Sequence, residues 1–311
     1  MINEMTAIAG KIIVLTGASR GIGASIARAL AKEKATIVCV SRSEAKLAEI
    51  CAEIDELGGK GISIPFNLSQ VENLSILVEK IKHQVGAIDI LINNAGMEIY
   101  RTFANYTLAE LQIVLSTNLL AAMELTRLIL PSMLDRGKGQ IVNMASLAGK
   151  KGAAYNSIYS ASKGGLVMWS DALRQELTDT GVGVTTICPG YVGGQGMTAD
   201  SGVPIPSLAG VSTPEAVTKA TLKAIANNQA EVIINQDLIT EITTKLLFAL
   251  GQFSPRTSDR IFRKLLGVAQ SNQLRIKSLK ADSSLDVDYA RTESEIQMYN
   301  KYHETSLFDD L

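Results

Sequence analysis

Tyr159 and Lys163 stand four residues apart in a stretch of helical pattern, which puts both side chains on one face. To exchange a proton near neutral pH, a tyrosine needs its pKa of ~10 lowered by roughly 3 units, or about 4 kcal/mol. A single cation ~4 Å away at an effective dielectric of ~20 supplies about that much. Lys163 is therefore adequate in magnitude to make Tyr159 a general acid or base. The same spacing is common on helices, so the pair gains meaning only from what surrounds it.

A second chemistry-bearing feature lies near the start of the chain. The apolar run Ile12 to Leu15 ends in Thr16-Gly17-Ala18-Ser19-Arg20-Gly21-Ile22-Gly23 and passes directly into a helical pattern. Glycines at such a strand-to-helix turn let the backbone approach a pyrophosphate, whose charge is met by free N–H groups at the helix N-terminus. The context of strand, turn and helix at the first crossover makes this a dinucleotide signature. At the end of the second apolar run, where an acidic residue would bind the 2′-hydroxyl of NAD, the chain has Ser41-Arg42-Ser43. No carboxylate stands there to repel a 2′-phosphate, and Arg42, with Arg20 from the glycine turn, can pair with one through charge-assisted bonds. The expected cofactor is NADP(H).

The elements that must position these residues follow from the hydrophobic pattern. Apolar runs at Ile12 to Leu15, Thr36 to Val40, Ile62 to Phe66, Ile88 to Ile92, Gln140 to Met144, Val182 to Ile187 and Glu231 to Ile234 lack period-2 alternation, as strands buried on both faces of a parallel sheet should. Helical patterns lie between them, at Gly23 to Lys34, Ala45 to Leu57, Val71 to Val85, Leu108 to Leu134, Ile158 to Thr178 and Pro214 to Asn227. The fold class is α/β, a doubly wound Rossmann-type sheet of seven parallel strands with a helical C-terminal extension. Residues 1–236 form the dinucleotide-binding and catalytic domain. Within it, the Gly- and Ser-rich stretch 191–213, with Pro204 and Pro206, is too long for an ordinary connection and reads as a substrate lid.

Composition narrows the classes. The 311 residues carry 30 Lys+Arg against 31 Asp+Glu, so no basic field exists to collect nucleic acid. Cys39, Cys51 and Cys188 are odd in number, far apart and without metal spacing, which points to buried thiols in a reducing compartment. With only His83 and His303, a zinc cluster or a Ser-His-Asp hydrolase is disfavoured, and no metal site is expected. Met1 to Gly10 has no basic start or long apolar run, and no stretch reaches ~18 consecutive apolar residues, so the chain reads as cytoplasmic without a spanning helix.

Taken together, the glycine turn, Asn93-Asn94-Ala95-Gly96 after the fourth strand, Asn118, Ser146 after the fifth, Tyr159-Ser160-Ala161-Ser162-Lys163 and Pro189-Gly190 after the sixth resemble the short-chain dehydrogenase/reductases, in an NADP-preferring branch. The resemblance spans roughly residues 8 to 236. It implies that Tyr159 protonates a carbonyl oxygen as hydride arrives, that Lys163 lowers its pKa and binds the nicotinamide ribose, and that Ser146 holds the substrate oxygen. It also implies that Asn118 binds a water relaying protons to Lys163. Asn94, Ala95 and Gly96 would pass under the adenosine ribose, and Pro189, Gly190 and Val192 would lie against the nicotinamide. Asn67, beside Leu68, stands where the family usually has an aspartate for the adenine amino group, and its amide oxygen would accept that bond. Tyr191-Val192-Gly193-Gly194 replaces the usual threonine after Pro-Gly, with the two glycines as candidate hinges.

Residues expected at the carbonyl site (Met97, Leu147, Tyr191, Val192, Met197) are mostly apolar, which favours a hydrophobic ketone or 3-oxoacyl substrate; Glu98 is expected to be solvated. The segment 237–280 reads as two amphipathic helices, Leu238 to Leu250 and Ser258 to Leu266, apolar at Ile239, Ile242, Leu246 and Leu250 and at Ile261 and Leu265. Packed beside the lid, they would extend the pocket. The segment is basic from Arg256 to Lys280, which suits peripheral contact with an anionic membrane. Residues 281–311 form an acidic tail that is equally suited to fold back on it. The expected function is NADP(H)-dependent reduction of a carbonyl to an alcohol by a homo-oligomer. The rivals are a 3-oxoacyl reductase of lipid synthesis and, from another class, a catalytically silent NADP-bound sensor or scaffold.

Overall fold

The apolar runs pair into one sheet because each strand has side chains to bury on both faces. In the computed structural model, which describes residues 8–200, 205–206, 209–265 and 267–281, the strands are β1 (Ile12–Thr16), β2 (Thr36–Ser41), β3 (Lys60–Pro65), β4 (Ile90–Asn93), β5 (Gly139–Met144), β6 (Val182–Pro189) and, after the short lid strands β7 (Tyr191–Val192) and β8 (Val211–Ser212), β9 (Glu231–Ile234). The seven-stranded sheet has the order β3-β2-β1-β4-β5-β6-β9, and all its pairings are parallel. The order reverses between β1 and β4, and a crevice opens beyond the carboxyl ends of these strands.

Helices α1 (Gly21–Lys32), α2 (Glu44–Glu56) and α8 (Pro214–Ala226) cover one face, burying Ile13, Leu15, Ile37, Ile90 and Ile92. On the other face α3 (Leu74–Val85), α5 (Ala121–Asp135) and α6 (Ser157–Glu176) bury Val14, Val38, Leu91, Ile141 and Val184. Each such side chain contributes about 1.5–3 kcal/mol on burial. Cys39, Cys51 and Cys188 are buried thiols. The long helix expected over Leu108 to Leu134 is interrupted. It comprises α4 (Leu108–Leu115), a π-helical turn (Ser116–Leu120) and α5. Leu108–Asp135 as a whole is long and apolar enough to cross a membrane, but Ile113, Val114, Ala121, Leu125, Ile129 and Met133 are buried in the protein's own core.

The C-terminal extension departs from the expected pair of helices. It has α9 (Leu238–Phe253), α10 (Pro255–Arg260), a π turn (Ile261–Leu265) and a third helix, α11 (Val268–Ala281). Gly251 lies inside α9, and Pro255 opens α10 at the first-turn position where its missing N–H costs nothing. The stripe that predicted α9 also faces the other way. Ile239 and Leu246 are 76% and 61% exposed, while Thr240, Thr243, Thr244, Leu247 and Phe248 line the crevice. The lid is partly ordered, with β7 paired to β8 and α7 (Met197–Asp200) between them. Lid residues 201–204 and 207–208, residues 1–7 and the acidic tail 282–311 lie outside the described residues.

Candidate active site

The crevice is a cavity of about 760 Å³, within the range of small-molecule and cofactor sites. One end is built by the glycine turn after β1. A Cβ on Gly23 would lie 2.0 Å from the Gly17 carbonyl oxygen, so no larger residue fits while the turn keeps its shape. Gly17 has φ +65°, a left-handed conformation that glycine adopts freely. Gly17, Ser19, Arg20, Gly21, Ile22 and Gly23 all line the cavity. Thr16 does not. Its buried hydroxyl accepts from the backbone N–H groups of Asn94 (2.9 Å) and Ala95 (3.0 Å) and donates to the Ile92 carbonyl at 3.3 Å. Thr16 thus ties the ends of β1 and β4 together instead of facing a ligand. Asn94 braces the turn from behind, its amide donating to the carbonyls of Thr16 at 3.0 Å and Gly17 at 3.2 Å. Ala95 and Gly96 continue the lining.

Farther along, Ser41, Arg42, Ser43, Lys46, Asn67 and Leu68 close the adenosine end of the cavity. The Ser41 hydroxyl is buried without a hydrogen-bond partner, an orphaned polar atom at the place where a ribose or phosphate would lie. Lys46, in the first turn of α2, was missed by the sequence reading. Asn67 corrects an expectation: its Oδ1 already accepts from the Ser69 N–H at 3.2 Å and the Ser69 hydroxyl at 3.0 Å. Both lone pairs are engaged, so an adenine would meet the amide Nδ2 instead. With its glycine cradle, orphaned hydroxyl and cationic rim, this half of the cavity fits a phosphorylated dinucleotide.

The other half gathers Ser146, Tyr159 and Lys163 beneath Pro189, Gly190 and Val192. Ser146 follows β5 as the cap of a short 3₁₀ turn (Leu147–Gly149), its Oγ accepting from the Ala148 N–H at 3.1 Å. Tyr159 and Lys163 rise from the first two turns of α6, both buried. Lys163, 2% exposed, donates from Nζ to the Met144 carbonyl at 2.7 Å and lies 5.8 Å from the Tyr159 ring centroid. Burial lowers its pKa from 10.5 to about 8, partly opposed by Cys188 and Glu98. Tyr159 is pushed well above 10 by burial and then by Glu98, while its hydrogen bond with Ser146 pulls it down. The sequence argument placed a cation beside the phenol as the dominant influence; in the folded chain burial is the largest influence on Tyr159, and it acts in the opposite direction.

Asn118 is not on the cavity wall. It sits in the π turn, 1% exposed, with Oδ1 accepting from Met97 N–H at 2.8 Å and Nδ2 donating to Met97 O at 2.8 Å and Ser162 Oγ at 3.0 Å. Both amide hydrogens and one lone pair are spent, so the side chain pins the Met97 backbone to α6 and keeps one Oδ1 lone pair. π turns frequently mark functional sites, and this one delivers that pin.

Glu98 overturns a second expectation. It faces the cavity, where its Oε2 accepts from Asn156 Nδ2 at 2.9 Å and from the Tyr100 hydroxyl at 3.0 Å. Met97, Leu147, Tyr191, Val192 and Met197 line the same end, as expected. Gln195 of the lid descends on the glycine turn, its carbonyl only 2.9 Å from where a Gly21 Cβ would lie, and Gly193 N–H donates to Ser212 O at 2.9 Å. The extension completes the wall with residues of α9, Phe262 and Asn272. Phe248 and Phe262 stack at 5.9 Å, and Lys151 spans from Asp259 at 2.6 Å to the Phe262 ring at 5.8 Å.

Comparison with known proteins agrees with this geometry. The short chain dehydrogenase family model matches residues 11–202. Ketoacyl reductase HetN of Nostoc sp. is 57% identical over 288 residues, covering 93% of this chain and all of that one. The 3-oxoacyl-[acyl-carrier-protein] reductase FabG of Vibrio harveyi is 34% identical over 183 residues, covering 59% and 74%. Among solved structures, a metagenomic short-chain oxidoreductase in complex with NADP has a TM-score of 0.65 and 29% identity, covering 75% of this chain and 100% of that chain. L-sorbose reductase of Gluconobacter frateurii, complexed with NADPH and L-sorbose, has 0.67 and 25%, covering 76% and 98%. The doubly wound sheet is shared with these oxidoreductases, and the chain belongs to the short chain dehydrogenase family.

Proposed function

We propose that this chain is an NADPH-dependent carbonyl reductase acting on a 3-oxoacyl or similarly hydrophobic ketone. The observation that carries this reading is one continuous cavity lined by Arg20, Arg42 and Lys46, by Ser146, Tyr159 and Lys163, and by Leu247, Phe248 and Phe262. A bound NADPH would supply the hydride. The buried Tyr159, held protonated, would give its proton to the carbonyl oxygen, and Ser146 would donate a hydrogen bond where charge develops. Lys163 would carry the cofactor's ribose and the positive field. The names of the relatives HetN and FabG support a ketoacyl substrate, and the NADP-bound neighbours support the cofactor. A silent sensor would not need the Tyr159-Lys163 pair. The test is NADPH oxidation with 3-oxoacyl thioesters of increasing chain length: turnover should rise with length, and no turnover of any ketone or thioester would overturn the reading.

The reading of peripheral membrane contact through 237–280 is favoured by the exposed stripe Leu238, Ile239, Ile242, Leu246 and Phe253 on α9, flanked by exposed Lys245, Arg256 and Arg260. Sedimentation with anionic but not zwitterionic vesicles tests it, and no sedimentation with either would refute it. A homo-oligomer formed through 108–134 and 158–178 is proposed alongside, and sizing in solution would check it.

A further inference from the structure

A second cavity of about 460 Å³ opens on the surface of the extension, lined by Arg256, Asp259, Arg260, Arg263 and Gln270. The three arginines follow at intervals of four and three along α10 and the π turn after it, and all are exposed. None of them pairs with a carboxylate among the described residues, and Asp259 is already matched by Lys151 at 2.6 Å. Guanidinium groups gathered in this way suit a phosphate, which takes several N–H bonds from their planar forks.

This cleft shares a wall with the crevice. Lys151, which lines the crevice, reaches Asp259 in the cleft, and Phe262 lines the crevice from between Arg260 and Arg263 in the chain. The first turns of α11 serve both, with Gln270 in the cleft and Asn272 in the crevice. Asn272, 1% exposed, spends its amide on the Ala154 carbonyl at 2.7 Å, while its Oδ1 has no hydrogen-bond partner. Asn156, 2% exposed and also on the crevice wall, donates to Glu98 at 2.9 Å and leaves its Oδ1 orphaned too. Buried acceptors of this kind are costly, and N–H donors on a ligand would satisfy them. We propose that Arg256, Arg260 and Arg263 form a site for the phosphate on the carrier arm of an acyl thioester, with Asn156 and Asn272 accepting from the arm's amide N–H groups and the 3-oxoacyl carbonyl at Tyr159. This rests on the carbonyl-reductase reading and deepens it. The arginines lie beyond residues 11–202, so the family match does not account for them.

The experiment compares kcat/KM with NADPH for acetoacetyl-phosphopantetheine and acetoacetyl-pantetheine, which differ only in the phosphate. At low salt the phosphorylated compound should be favoured about tenfold, mainly through KM, and high salt should shrink the ratio because exposed pairs are screened. Arg256→Gln, Arg260→Gln and Arg263→Gln together should bring the ratio close to one with the KM for NADPH unchanged, which separates this cleft from the cofactor's own phosphates. The S-pentyl thioester of acetoacetate, which has no amide, should fall about tenfold below acetoacetyl-pantetheine, and equality of those two overturns the part given to Asn156 and Asn272. Equal values for the phosphorylated and unphosphorylated arms in the wild type overturn the phosphate site, and this comparison needs no folded variant. A folded triple variant that keeps the ratio does the same. A lipid headgroup is the other source of phosphate at this surface, so sedimentation with phosphatidylglycerol vesicles is run beside it. Loss of sedimentation in the triple variant with the substrate ratio unchanged gives the cleft to lipid and overturns the proposal. If no acetoacetyl thioester is reduced at all, the reductase reading fails and the inference falls with it.

Discussion

Asn272 donates from Nδ2 to the carbonyl oxygen of Ala154 at 2.7 Å, joining α11 of the extension to the loop that leads into α6. The adjacent Gln273 reaches the Tyr155 hydroxyl at 2.9 Å, and Tyr155 carries φ +63°, a strained conformation for a residue with a side chain. That loop ends at Asn156, one turn before Tyr159. On the proposed reading, the extension would help aim Tyr159 as well as lining the cavity. Asn272→Ala should cost about 1–3 kcal/mol of stability through the lost buried hydrogen bond, read as a lower Tm. It should also lower kcat several-fold while NADPH affinity stays within twofold. Unchanged kcat at full folding would show that the latch has no part in aiming Tyr159.

Tyr159→Phe removes only the phenolic hydroxyl from a buried position and leaves the ring packing. General acid catalysis is typically worth about 10²- to 10⁴-fold, so kcat for reduction should fall within that range. NADPH binding, followed by fluorescence, should be nearly unaffected because the cradle at Gly17 to Gly23 is remote from the hydroxyl. Retention of wild-type turnover would remove Tyr159 from the chemistry.

Lys163 gives stability a definite sign with pH. Its pKa is about 8 in the folded chain against 10.5 ordinarily, so between these values the unfolded chain binds more protons than the folded one. This contribution to stability is fully present above 10.5 and is lost as pH falls through 8. The cost of holding the buried ammonium at pH 7 is of order 3 kcal/mol. Denaturant midpoints should rise from pH 7.5 to pH 9.5. Lys163→Met should be more stable than wild type at pH 7 and lose that rise. Above pH 10 the raised Tyr159 works the other way, since the unfolded phenol ionises first. A wild-type midpoint indifferent to pH across 7.5 to 9.5, with the same behaviour in Lys163→Met, would contradict the burial of a charged lysine.

How much of this was legible depended on whether the signal was local. The seven strands announced themselves through continuous Val and Ile runs, and the i, i+4 spacing of Tyr159 and Lys163 placed them on one face correctly. Glu98 was not legible, because the partners that hold it, Tyr100 and Asn156, include one 58 residues away. The engagement of Asn67 by Ser69 is local, yet nothing in residue type alone says that both lone pairs are taken. α11 was missed because Val268–Ala281 is mostly polar and has no apolar stripe; Asn272 and Gln273 dock it by hydrogen bonds instead. The outward turn of Ile239 and Leu246 was hidden for the opposite reason: a helical period identifies a face but not which way it points.

Cofactor preference gives the sharpest test of the cationic rim. Arg42 lies at the end of β2, and Lys46, one turn into α2, lines the same end of the cavity. The Ser43 hydroxyl accepts from the Lys46 N–H, so the helix start is fixed beside the arginine. A 2′-phosphate there would meet two cations, whereas the 2′-hydroxyl of NADH offers them nothing of comparable charge. Both side chains are exposed, so each interaction is screened and modest, about tenfold in affinity at low salt. Arg42→Ala should weaken NADPH binding by about that factor and leave NADH within twofold. Adding Lys46→Ala should weaken NADPH further, and the wild-type preference should narrow as salt rises. A native preference for NADH, or equal losses for both cofactors in Arg42→Ala, would mean that the rim does not read the phosphate.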